Sequence, residues 1–131
     1  MKYVFYCIVA FIAVSCINLG NSEYYESYKG QVEISHVNIP DTIEAYSFVQ
    51  IDAVAQAYNG CWSDLGFLLT KNSTFEYKLE AFGDFLSHGN CPDQMVYSDS
   101  TINLQLTQQG LYRFYVYMNP DSTLIDTLIV K

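Results

Sequence analysis

From Gly30 onward, apolar and polar residues alternate one by one in short runs separated by turn residues. A period of two puts successive side chains on opposite faces of an extended strand, so such runs build half-buried strands and not helices. In "QVEISHVNI" Val32 and Ile34, with His36 in the same register, oppose Glu33 and Ser35. In "SFVQIDAVAQAY" Val49, Ile51, Ala53 and Ala55 oppose Gln50, Asp52 and Gln56. Leu65, Phe67 and Leu69 share a face of the next run. Phe75, Tyr77, Leu79 and Ala81 then oppose Glu76, Lys78 and Glu80. Ile102, Leu104 and Leu106 follow, and then Tyr112, Phe114 and Val116 against Arg113, Tyr115 and Tyr117. "KNST" and "NPDS" read as turns, the latter with Pro at its second position. A longer loop over residues 83–95 carries Cys91 and Pro92, and "TLIDTLIVK" closes the chain. About seven to eight strands in about 100 residues predict an all-β fold in which two packed antiparallel sheets each bury one face.

The first residues follow other rules. Lys2 precedes the uncharged, mostly apolar run Tyr3 to Val14. At about 12 residues that run suits a signal peptide and is too short to span a bilayer as a helix. Ala13-Val14-Ser15 is a small-x-small cleavage site, consistent with plain secretion. Cys16 stands immediately after it, and Ala13 to Cys16 resembles a bacterial lipobox. That resemblance implies that Cys16 receives a diacylglyceryl thioether and becomes the mature N-terminus. The domain reading is therefore a signal peptide over 1–15, a flexible tether over 16–29 and a folded domain over 30–131. The tether is rich in Asn, Ser, Glu and Tyr, including Tyr24, Tyr25 and Tyr28. The expected location is the cell envelope, lipid-anchored outside the cytoplasm, with secretion as the alternative.

Four cysteines are present. Cys7 would leave with the signal peptide and Cys16 would be lipidated, which leaves Cys61 and Cys91. Both lie in turn-like contexts, "NGCWSD" and "HGNCPD". In an oxidising compartment a disulfide is the expected state, contributing about 3–4 kcal/mol by loop closure. Free thiols and a metal pair are the alternatives, and neither cysteine belongs to a C-x-x-C unit.

"LTQQGLYRFYV" resembles the corner between strands E and F of immunoglobulin-like domains, in which a tyrosine hydroxyl bonds back to the upstream backbone. Tyr112 is the structural corner residue by that resemblance. Trp62 lies beside Cys61 and not midway along a strand between two sandwich cysteines, so the Cys61–Cys91 link is expected to staple loops. Taken whole, the chain resembles small immunoglobulin-like lipoproteins of the Bacteroidetes type: lipobox, short tether, an early G-C-W segment and a closing hairpin. The resemblance implies an immunoglobulin-like β-sandwich and brings no activity with it.

Signals for chemistry are thin. There is no G-x-S-x-G elbow, no H-E-x-x-H helix and no phosphate-cradling glycine loop in the sequence. No catalytic residue, cofactor or metal site is assigned. His36 falls on a strand and reads as structural. His88, near Asp84 and Asp93, is the one grouping that raises a metal-dependent enzyme, against a solvated loop. Asn72-Ser73-Thr74 is a glycosylation sequon that reads here as a turn. Net charge −8 argues against nucleic acid and against charge-driven docking on anionic lipid. Twelve tyrosines and eight phenylalanines are more than one small core needs. Tyr115 and Tyr117, on the outward face of their strand, are candidate ligand contacts, against simple cross-strand pairing. The sequence thus predicts a non-enzymatic, membrane-anchored binding or assembly module with a protein or glycan partner. An inhibitor of secreted hydrolases acting through the 83–95 loop is the alternative.

Overall fold

The computed structural model describes residues 24–131. These form eight strands: β1 Glu26–Asn38, β2 Thr42–Ile43, β3 Phe48–Ala57, β4 Trp62–Ser73, β5 Glu76–Ser87, β6 Val96–Gln105, β7 Gly110–Asn119 and β8 Ser122–Val130. Among the described residues there is no helix. The signal peptide, Cys16 and the tether up to residue 23 lie outside the described residues.

β1 belongs to both layers of a sandwich. Its first half, Glu26 to Val32, pairs antiparallel with Ser87 to Ala81 of β5, and its second half, Glu33 to Asn38, pairs with Gln56 to Asp52 of β3. One layer comprises β4, β5, β7, β8 and β2 with the start of β1. The other comprises the end of β1 with β3 and β6. The core fills the space between them. Val49, Ile51, Ala53, Ala55 and Ala57 of β3 face Tyr77, Leu79 and Ala81 of β5, Phe114 and Val116 of β7, and Leu128 and Val130 of β8. The period-two faces expected for β3 and β7 are the buried faces observed, and β5 follows the same pattern from Tyr77 on.

Three features depart from the sequence reading. First, β1 begins at Glu26, inside the expected 16–29 tether. Its polar composition hides the strand, but Tyr28 lies opposite Phe85 and their rings stack at 4.8 Å, which gives this end an apolar face. Second, β1 carries a bulge between Ile34 and His36. The extra residue reverses the alternation, so Val37 and Ile39 turn inward and His36 stands exposed. Third, two short pairings are parallel, β2 with β8 and β5 with β7. β6 carries the chain from β5 to the opposite layer, and the return to β7 brings it back in the same direction as β5. The sandwich is therefore mainly antiparallel, with a parallel seam beside β7.

The crossing from β6 to β7 is fixed by Tyr112, which is 2% exposed and donates its hydroxyl to the Gln108 carbonyl at 2.9 Å. Gly110 has φ +147°, and a Cβ there would lie 2.9 Å from the Phe75 ring. Phe75, Tyr112, Tyr77 and Phe114 form a connected run of rings from this corner into the core, with neighbouring centroids 5.1 to 6.3 Å apart. These four rings are thus structural.

Candidate binding site

The opposite end of the sandwich gathers the start of β1, the β3–β4 connection (58–61), the β5–β6 connection (88–95) and the β7–β8 turn. The expected 83–95 loop is shorter than the sequence suggests. Gly83 to Ser87 continue β5, because Gly83, Phe85 and Ser87 keep the inward parity of Tyr77, Leu79 and Ala81. Cys61 and Cys91 form a disulfide, with Cα atoms 5.2 Å apart across 30 residues of sequence. Around it the Gly60 amide donates to the Pro92 carbonyl at 2.8 Å, and the Leu86 amide donates to the Cys61 carbonyl at 2.9 Å. Asn59 Oδ1 accepts from the Cys61 amide at 3.1 Å, closing the turn by a side chain. The expected loop staple is what the pair provides.

This staple fixes the start of β4, where Trp62 stands. Gly30 and Gly83 are direct cross-strand partners. A Cβ on Gly30 would meet the Trp62 ring at 2.8 Å, and one on Gly83 would meet it at 3.3 Å and Leu65 at 2.5 Å. Two opposed glycines thus make a bare floor on which the indole lies. Phe85 meets Trp62 edge-on at 5.2 Å, and Tyr28 does so at 5.8 Å. An indole held by the glycine floor and two rings has little freedom left to lose on binding.

Beside Trp62 is a cavity of about 80 Å³, walled also by Tyr58, Tyr117, Glu33, Gln56 and Gln31. Glu33 and Gln56 are cross-strand partners, and the Gln56 amide donates to Glu33 Oε2 at 3.0 Å. The Tyr58 hydroxyl donates to the other carboxylate oxygen. That bond, then lost solvent and the Glu33 charge, pushes the Tyr58 pKa above its ordinary value. Gln31 donates to Glu80 at 3.0 Å, and Glu80 pairs with Lys78 at 2.8 Å. A wider hollow of about 380 Å³ lies over Phe67, Leu68 and Phe82, rimmed by Lys29 and Asp64, but it is an open groove.

The two candidate tyrosines separate. Tyr117 lines the cavity. Tyr115, also half-buried, lies opposite Lys78 and Ile125 with its hydroxyl 3.4 Å from Glu76, so it takes the cross-strand reading. Asp84 pairs with Lys29 at 3.4 Å, and His88 lies edge-on to Tyr25 at 5.4 Å. Among the described residues no three His, Cys, Asp or Glu side chains come together as a metal-binding group, so Asp84, His88 and Asp93 do not form one. Trp62, Tyr58 and Glu33 were not legible as site residues. The one available signal was a lone tryptophan beside a turn cysteine. No protein-family model matches the chain, and no curated protein or solved structure matches it.

Proposed function

We propose that this chain is an extracytoplasmic, membrane-anchored module that binds or assembles with a protein or glycan partner and performs no reaction of its own. The observation that carries the reading is the cavity walled by Trp62, Tyr58 and Tyr117 at the disulfide-tied end. Aromatic rings fixed before contact offer large contact area at low entropic cost, which is how recognition surfaces are built. The disulfide supports export. Lipidation of Cys16 would hold this same end near the membrane, because β1 starts beside Ser87, next to the stapled loops. From Cys16 to Glu26 the chain reaches at most about 35 Å. The partner sought is therefore one that lies close to the envelope surface.

Arrays of glycans and envelope proteins, probed with the wild-type chain and with Tyr117→Ala and Tyr58→Ala, test this. Binding that falls about tenfold or more in the tyrosine variants is expected, since central aromatic contacts carry about 2 kcal/mol each. A ligand bound equally by wild type and both variants would move the site elsewhere. No ligand at all would remove the binding reading.

A further inference from the structure

We infer that the cavity beside Trp62 takes an organic cation, an ammonium or guanidinium head. This rests on the binding reading above and names its ligand chemistry. Four observations lead to it. Trp62, Tyr58 and Tyr117 wall one cavity, and the face of each ring carries negative potential that attracts a cation. Glu33 lines the same cavity and, among the described residues, accepts hydrogen bonds only from neutral partners, Gln56 and Tyr58. The ion pairs among the described residues engage Asp84, Glu80 and Glu76, not Glu33. One N–H of Gln56 and the Tyr58 hydroxyl go to Glu33, and one N–H of Gln31 goes to Glu80, so the cavity sets a carboxylate beside three aromatic rings.

Size agrees with this. About 80 Å³ admits one compact head group and is well below the several hundred Å³ of cavities that enclose a whole small molecule. An anion would meet the Glu33 carboxylate, and a neutral sugar would leave its charge uncompensated. A basic side chain on a protein partner carries the required chemistry. The net charge of −8 favours its approach, whereas the choline head of a lipid carries its own phosphate and has no net charge to steer.

The test uses the full chain in a polyoxyethylene detergent, which carries neither a cation nor a sugar. Trp62 is the single tryptophan, so its fluorescence reports on the cavity wall. Amide NMR shifts at Tyr58 and Tyr117 localise the response. The probes are N-acetyl-arginine amide, choline, N-acetylglucosamine and acetate. A saturable response to N-acetyl-arginine amide, weakened about tenfold or more by Glu33→Gln, is expected, because the variant removes the carboxylate charge that faces the cation. Choline binding better than N-acetyl-arginine amide overturns a basic side chain as the source. Tyr117→Leu, checked by circular dichroism to be folded, weakens the same response. N-acetylglucosamine or acetate binding as well as the cations, or a cation response unchanged in Glu33→Gln, overturns the cation assignment while the binding site stands. No response to any probe overturns both the assignment and the cavity as the site.

Discussion

Single atoms decide the geometry at both ends of the sandwich. Gly30 and Gly83 matter for the side chains they lack. Adding one methyl group at either position drives it into the Trp62 ring or Leu65. Gly30→Ala is expected to lower unfolding free energy by about 1–3 kcal/mol, the usual cost of overpacking, and to shift Trp62 emission. Urea titration followed by fluorescence checks both. At the far end, Tyr112→Phe removes one hydroxyl bonded to a backbone carbonyl, a loss of about 1 kcal/mol by the same assay. Phenol ionisation gives a third residue-scale test. Tyr58 and Tyr77 both have raised pKa values, Tyr58 first through its bond to Glu33 and Tyr77 first through burial. A folded-state pKa above the unfolded value means that stability is level below about pH 10 and falls as pH rises through the folded pKa. Denaturation midpoints measured between pH 8 and 11.5, a range of about 3.5 units around that value, should stay level and then drop. In ultraviolet titration Glu33→Gln should bring Tyr58 back towards the ordinary phenol range.

At the scale of elements, the bulge in β1 separates what periodicity reveals from what it hides. Val32 and Ile34 read correctly as inward-facing because strict alternation holds up to Ile34. One extra residue then reverses the parity: the apolar series steps from Val32 and Ile34 to Val37 and Ile39, and that three-residue gap is hidden when His36 is read as continuing the even positions. The consequence is measurable. His36→Ala, at an exposed position, should change stability by less than about 0.5 kcal/mol, whereas Ile39→Ala, at 6% exposure, should cost about 2–4 kcal/mol. β3 was legible because five inward residues alternate without interruption. The start of β1 was not, because Glu26 to Lys29 carry polar side chains and the strand is stabilised by its pairing with β5 and the stacking of Tyr28 on Phe85. The disulfide joins two connections that β strands alone leave free. Replacing Cys61 and Cys91 by Ser should lower stability by about 3–4 kcal/mol and broaden the NMR signals of residues around Trp62. A loss confined to stability, with the Trp62 surroundings unchanged, would separate the staple from the site.

For the molecule as a whole, the sequence predicted two packed sheets, and that is the architecture observed, apart from the parallel seam beside β7. The site was legible only at Tyr117, through outward parity on a single strand. Tyr58, Trp62 and Glu33 belong to the connection before β4, to β4 itself and to the middle of β1, and the crossing of β1 between layers brings them beside Tyr117. Local patterns carry no record of such a meeting. The proposed function joins an exported, disulfide-tied sandwich to an anchor that would keep its aromatic end near the membrane. Intact-mass spectrometry of the chain isolated from its native cells tests that union most directly. The account predicts a chain that begins at Cys16, carries added acyl mass there and retains the Cys61–Cys91 bond. A chain that keeps Met1, with all its cysteines unmodified and reduced, would contradict it.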